Sequence, residues 1–459
     1  MRGKRSLAAL LILFTGAAKP PVASPPRRIL LITVDTLRAD ALSCYRAQTP
    51  GTPALDALAG DSVVFRQARS AAPWTLPALA SAMTGVSPQV HLATELGGRV
   101  PDRLTTIAEV LRRAGYRTAA LVSSPLLGRA AHLDQGFQEY TAFPGETGMA
   151  GTRPADPDRL AGLASRWLRG KDKDRFFLWV HFYDPHTPYE PPAAYLQGLE
   201  PPPGMRRDLT VEEHLAIRLR QRDPAPAERE WVRQLYRAEV RWVDAAVGTL
   251  IAELKRSGHY EDTLIVLLSD HGDEFWEHGR VGHGHTLYEE LLRVPFLVKL
   301  PGDPGGHRRG EIGTPVSTAS LAATILDLAG KPLPPSFPAA PSLAPWLRGE
   351  TEAILPGPEP LLSTGVQRLE EQEAILFGGF KLIRWETSGR QELYDVDHDP
   401  EETADLAASA PRKVKEGGLL LDRRDAESNR ARKELGLHRE RVTLDPEAMK
   451  RLRALGYGG

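Results

Sequence analysis

Three positions in the chain join reactive residue types to the ends of regular elements. Asp35 follows the apolar run 28–34 (RILLITV), and Asp270-His271 follow a second one, 263–269 (TLIVLLS). Thr75 lies in SAAPWTLPALASAMTG, residues 70–85, where Pro73 and Pro77 frame a loop giving way to a helix closed by Gly85. Two carboxylates and an imidazole form a hard-to-borderline donor set that suits a divalent cation, with Zn²⁺ or Mn²⁺ favoured and Ca²⁺ or Mg²⁺ possible. A hydroxyl beside such a cation can lose its proton and act as a nucleophile. Taken alone, each residue has an ordinary alternative. Thr75 can be an N-cap among N–H groups that lack intrahelical partners, and each Asp can be a turn or cap residue.

These residues can meet only if a sheet brings them together. Runs 28–34, 176–182 (FFLWVHF) and 263–269 are apolar throughout, as strands buried on both faces are. Helical stretches alternate with them: TPGTPALDALAG, the Thr75 stretch, 104–114, about 228–257 and 319–329, with further strands at 63–65, 117–122 and 293–299. This alternation predicts a doubly wound, mostly parallel α/β sheet, in which all strand ends of one kind face one rim. The rim then gathers Asp35, Asp270-His271 and a third segment holding His181, Asp184 and His186. The loop GDEFWEHGRVGHGHTLYEE adds His278, His283 and His285. Residues 141–158 and 200–228 are rich in loop formers and are expected to be surface insertions near the pocket.

The remaining features bound the class. Among 459 residues there are 58 Lys and Arg against 59 Asp and Glu, which gives no sign of a nucleic-acid binder. Cys44 is the one cysteine, so neither an intrachain disulfide nor a cysteine metal cage is possible. Arg2, Lys4 and Arg5 precede an apolar run from Leu7 to Ala18 and a Pro- and Ala-rich spacer. Residues 1–27 therefore read as a signal peptide and spacer, or an uncleaved anchor, and predict a periplasmic or extracellular protein with no other membrane segment. A catalytic domain is expected over 28–350, ending in the Pro-rich segment 331–349. A C-terminal subdomain follows over 351–459, with short strands at 374–377, 381–385 and 392–394 and a terminal helix at 446–455.

The motifs ILLITVDTLRAD, WTLPALASAMTG, HFYDPHTPY, LLSDHGDEFWEHGRVGHG, LYEELLRVPF and ELYDVDHDPEETADL occur in this order. In that order they resemble the sulfatase family of the alkaline phosphatase superfamily, from about residue 28 to 457. The resemblance implies an alkaline phosphatase-like fold and one divalent metal ion held by Asp35, Asp270 and His271, with Thr75 as nucleophile and metal neighbour. It also implies that His186 and His283 act on the substrate's anionic group, with His181 and His285 as further substrate-binding candidates.

Two departures bear on the reaction. Formylglycine sulfatases carry Cys or Ser in C/S-x-P-S-R, whereas this chain reads Thr75-Leu76-Pro77-Ala78-Leu79; the family's doubled Asp is Asp35-Thr36. Threonine cannot give an aldehyde, because its β-carbon bears a methyl. Threonine nucleophiles resemble the superfamily's phospho-branch, which implies hydrolysis of phosphate mono- or diesters through a covalent Thr75 intermediate. The substrate expected is a small-molecule, glycan or lipid anionic ester. Sulfate-ester hydrolysis without formylglycine, a phosphoethanolamine- or phosphoglycerol-type transferase, and an inactive metal- or glycan-binding protein are the alternatives.

Overall fold

The computed structural model describes residues 24–452, apart from 50, 144–153, 171–174, 208–210, 303–308, 333–339, 351–360, 368, 444–445, 447–448 and 450–451. Residues 1–23 of the expected leader and spacer, part of the 141–158 insertion and most of the expected terminal helix lie outside the described residues.

Eight strands form the main sheet: β1 (Arg28–Val34), β2 (Val63–Phe65), β3 (Arg117–Ser123), β4 (Glu139–Phe143), β5 (Phe176–Phe182), β6 (Thr263–Ser269), β7 (Phe296–Lys299) and β8 (Gly310–Ile312). Their order is β8-β2-β7-β6-β1-β5-β3-β4. β1 lies between β5 and β6 and is parallel to both, while β7 runs antiparallel to β6 and β2. The sheet is thus mixed, with β7 reversed. The chain between β6 and β7 returns through the site loop, with no long crossover helix to restore the direction.

Every residue of β1, β5 and β6 is buried, because helices cover both faces of the sheet. Ile29 and Leu31 join the core under α2 (Thr75–Thr84), α3 (Ile107–Arg113) and α7 (Ser320–Leu328). Leu30, Ile32 and Val34 point the other way, to α1 (Pro53–Gly60), α4 (Pro157–Arg169) and α6 (Pro226–Arg256). The alternation of side chains along a strand feeds both cores from one apolar run. Burying each such side chain is worth about 1.5–3 kcal/mol, so a one-residue slip that moved Asp35 would carry a large cost. One more helix, α5 (Val211–Arg218), lies in the expected insertion 200–228.

The C-terminal subdomain has four antiparallel strands in chain order, β9 (Leu361–Thr364), β10 (Gln372–Phe377), β11 (Phe380–Trp385) and β12 (Gln391–Asp395). A 25-residue helix, α8 (Pro411–Leu435), packs on them and was not expected from the sequence. Its buried residues are Gly417, Leu421, Ser428 and Ala431, too few and too small to signal a helical face. Gly417 is required there, because a Cβ would lie 2.7 Å from Phe377 Cε1. α4 was also unforeseen; Asp156 caps it by accepting from Arg159 N at 2.8 Å.

Candidate active site and metal centre

Strand register assembles the site. Val34 pairs with Ser269, so Asp35 and Asp270 leave adjacent parallel strands at the same level. Thr33 pairs with His181 on the other side of β1. All three side chains are buried, and donor atoms of Asp35, His181 and Asp270 lie within 4.8 Å of one another. Asp35 Oδ1, Asp270 Oδ2 and His181 Nε2 have no hydrogen-bond partner. Unpaired carboxylate oxygens are costly in such a setting unless a cation meets them.

The titration of the two carboxylates shows the strain. Burial, and then the neighbouring Asp35 charge, push Asp270 up to about 7. Burial also opposes ionisation of Asp35, but the surrounding imidazoles of His181, His186 and His271 outweigh it and hold Asp35 well below the carboxylate range. Without an added cation the pair does not hold two full charges comfortably. Thr36, a β-branched residue at φ 52, turns the chain so that its N–H reaches Asp270 Oδ1 at 3.3 Å. That left-handed conformation is strained for threonine and lies beside the two carboxylates.

His271 Nε2 stands 3.3 Å from Asp35 Oδ1 and 3.6 Å from Asp270 Oδ2. Its Nδ1 lies 2.9 Å from Gly272 O, a carbonyl, so Nδ1 is the donor there and Nε2 faces the carboxylates. Burial lowers the basicity of this ring, but Asp270 and Asp35 overcome it and raise His271 to about 9. A cation bound among these groups would displace that proton. Gly272 permits the turn: a Cβ would lie 2.0 Å from Glu290 O. His181 is oriented from behind, since Trp179 Nε1 donates to Thr33 Oγ1 at 2.9 Å and that oxygen lies 2.8 Å from His181 Nδ1.

Thr75 is the first residue of α2, and Trp74 occupies the N-cap position with no side-chain cap bond. The helix therefore starts two residues before Pro77, which sits in its first turn, where proline is tolerated. The Thr75 hydroxyl is spent on the site and not on capping: Oγ1 is 3.4 Å from Asp35 Oδ2 and 3.4 Å from His271 Nε2.

A second layer of imidazoles stands beside these groups. The His283 ring centroid is 4.5 Å from that of His271 and 4.8 Å from that of His186. His283 Nδ1 bonds to Asp273 Oδ1 at 2.8 Å, and Tyr189 donates to Asp273 Oδ2 at 2.5 Å. Burial pushes Asp273 up to about 6. His186 Nδ1 donates to Thr187 O at 2.6 Å, and burial lowers this imidazole to about 4. His285 differs, because Glu274 Oε2 takes its Nε2 at 2.8 Å. Glu274 Oε1 also accepts from His278 N and Arg280 N, so this pair braces the hairpin that carries His283.

Asp35, Thr75, Asp270 and His271 thus converge, with His283 and His186 adjacent. His181, expected from the sequence to bind substrate, instead joins Asp35 and Asp270 in a buried group that could hold a metal ion. Asp273 and Tyr189 were missed. Asp273 stood in the GDEF stretch, but nothing in its spacing tied it to His283. Arg218, which donates to His283 O at 3.1 Å, was missed as well.

A buried donor cluster that could hold a metal ion stands on the carboxyl rim of a doubly wound sheet, with a hydroxyl against it. Solved structures share the architecture. A protein in complex with its substrate D-glucosamine-2-N,6-O-disulfate matches with a TM-score of 0.74 at 21% identity, over 88% of this chain and 98% of its own. The phosphonate monoester hydrolase of Agrobacterium radiobacter matches at 0.73 and 22%, over 88% and 96%. The profile of the family described as Sulfatase matches residues 27–331, and the chain belongs to that family. The choline-sulfatase of Rhizobium meliloti is 28% identical over 86% of this chain and 85% of the relative. The multifunctional alkaline phosphatase superfamily protein PehA of Trinickia caryophylli is 24% identical over 72% and 76%. Members of the family bind a divalent metal, and the buried group Asp35, His181 and Asp270 fits one. Among the described residues no helix is long and apolar enough to cross a membrane.

Proposed function

We propose that this chain is a metal-dependent hydrolase of phosphate mono- or diesters that acts through a covalent intermediate on Thr75. The observation that carries the reading is the position of Thr75 Oγ1, buried at 3.4 Å from both Asp35 Oδ2 and His271 Nε2 and free of any capping duty. Asp35, Asp270, His181 and His271 are the residues that would hold the cation; zinc or manganese suits their mixed oxygen and nitrogen donors best. Once bound, the cation supplies Lewis-acid charge that favours an ionised oxygen nearby and offsets charge on a phosphoryl group.

The chain's own groups then divide the work. Thr75 Oγ1 forms the new P–O bond and gives up its proton to solvent, while Asp35 Oδ2, too weak a base to keep that proton, orients the hydroxyl. The bond to the leaving oxygen breaks, and His283, held by Asp273, is the candidate to protonate that oxygen. His186, neutral because it is buried, lines the other side of His283. Water then attacks the phospho-threonine, which restores the Thr75 hydroxyl and releases phosphate or its monoester. The apolar segment 7–18 behind Arg2, Lys4 and Arg5 supports action on molecules outside the cytoplasm.

Purified protein of known metal content should be assayed with an aryl phosphate, an aryl phosphodiester and an aryl sulfate. Phosphoester turnover should fall by about 10³-fold or more in Thr75→Ala while metal content is kept. Undiminished turnover in that variant removes Thr75 from the mechanism. The sulfatase relatives favour a second reading, sulfate-ester hydrolysis from the same geometry. Sulfate turnover with no phosphate activity would establish it in place of the first.

A further inference from the structure

Helix α5 carries a buried cation whose role the site geometry leaves open. Arg218, the last residue of α5, is 8% exposed, and its Nη2 donates to His283 O at 3.1 Å. Its Nε and Nη1 are buried with no hydrogen-bond partner. The guanidinium lies against Gly282, where a Cβ would come within 2.9 Å of Nε and 3.2 Å of Cζ. Gly282 also has φ +90, so glycine both allows the turn and makes room for the arginine. A permanently charged group is expensive to bury with donors unfilled, and a purely structural arginine would find carbonyls for them.

The surroundings point to what fills them. Arg218 Nη2 holds the carbonyl of His283, whose ring lies 4.8 Å from that of His186 and whose Nδ1 bonds to Asp273 Oδ1. The nucleophile helix itself, TLPALASAMT, contains neither lysine nor arginine. Leu79, one turn into it, is wholly buried in the apolar core. Any positive charge offered to a substrate by a side chain must therefore come from elsewhere, and Arg218 brings it to the imidazole layer from an inserted helix.

We propose that Arg218 is a substrate-binding residue that holds an oxygen of the tetrahedral oxyanion presented to Thr75. The identity of that group as phosphate rests on the function proposed above; the recognition of an oxyanion by Arg218 does not. Guanidinium bonds to a charged oxygen are among the stronger hydrogen bonds, and losing one costs about 10- to 100-fold in affinity.

The test is the affinity of the metal-loaded protein for inorganic phosphate, measured by calorimetry, with inorganic sulfate as a parallel probe. Arg218→Gln should weaken phosphate binding by about 10- to 100-fold, and Arg218→Lys, which keeps charge but not the planar donors, by a smaller factor. KM should rise more than kcat falls. Thr75→Ala should keep phosphate affinity near that of the unaltered protein while abolishing turnover. Unchanged phosphate affinity in both Arg218 variants, with only a lower melting temperature, would overturn the proposal and leave Arg218 as a brace for the His283 loop. If Arg218→Gln does not fold, Arg218→Lys decides alone, since it preserves the charge. Arg218-dependent phosphate binding without any phosphoester turnover would remove the proposed reaction and retain this assignment.

Discussion

At the seam between the main sheet and the C-terminal subdomain, Arg69 and Lys381 face Glu289 and Glu402. At the carboxyl rim of the main sheet, Asp35 and Asp270 stand beside the imidazoles of His181 and His271. Both groups are buried, yet the seam is neutral within itself. Arg69 Nη2 meets Glu289 Oε2 at 2.8 Å, and Lys381 Nζ meets Glu289 Oε1 at 3.2 Å and Glu402 Oε1 at 2.9 Å. Two cations answer two carboxylates there. Burial opposes ionisation of Glu289, but Arg69 and Lys381 hold it down at about 2. At the rim, among the described residues, Asp35 and Asp270 have the His271 imidazole and no lysine or arginine as ion-pair neighbour, and Asp35 Oδ1 and Asp270 Oδ2 have no hydrogen-bond partner. A structural charge cluster closes on itself, whereas a cofactor site leaves donors for something the chain does not supply.

This contrast can be broken most sharply at Lys381. Replacing it by Met leaves Glu402 buried beside Glu289 without its cation, which should cost ~3–5 kcal/mol of stability near pH 8. Burial already raises Glu402 to about 7. In the variant Glu402 should take up a proton more readily still, so the loss should shrink as pH falls. Chemical denaturation at pH 6 and pH 8 checks both. Metal content should be unchanged, because the seam supplies none of the metal donors. A loss of bound metal in Lys381→Met would merge the two regions that the comparison separates.

The rim should behave in the opposite sense. In excess chelator, Asp270→Asn removes one of two repelling carboxylates and should raise stability by ~1 kcal/mol. With metal at a hundred times its dissociation constant, the unaltered protein should gain ~2.7 kcal/mol that the variant lacks. The order of the two melting temperatures should therefore reverse between the conditions. Equal destabilisation of Asp270→Asn in both would make the rim another structural cluster.

The two regions also differed in how far the sequence revealed them. Asp35 and Asp270-His271 were visible because unbroken apolar runs end at them, and the rim of a doubly wound sheet follows from helix–strand alternation. The place of His181 among the donors was hidden, since it depends on the pairing of Thr33 with His181, which no local pattern encodes. Asp273 and Arg218 meet His283 through folded contacts that no local pattern encodes, Asp273 at its ring and Arg218 at its carbonyl. The seam was not legible at all, because Arg69, Glu289, Lys381 and Glu402 belong to four separate segments. Helix α8, which packs beside β10 and β11, escaped because Gly417-Gly418 interrupts a largely charged stretch.

The smallest expected effect lies at His278, where the site hairpin meets the seam. Its Nδ1 is 2.8 Å from Glu290 Oε1, its Nε2 is 3.2 Å from Glu402 O, and its ring stacks on Tyr288 with centroids 3.6 Å apart. Both ring nitrogens face acceptors, which is the arrangement of a charged imidazole. Partial burial disfavours the charge, but Glu290 and the Glu402 carbonyl outweigh it and raise His278 from 6.5 to about 9. A raised folded value means that the stabilisation is fully present below about pH 6.5 and is lost as pH rises through about 9. Discounted for solvent screening of this half-buried group, the effect should be ~1 kcal/mol. Melting temperatures of the metal-free protein across that interval should fall more steeply than those of His278→Gln. Parallel curves would mean that His278 is held by stacking on Tyr288 alone, and that the seam's charge balance stops at Glu402.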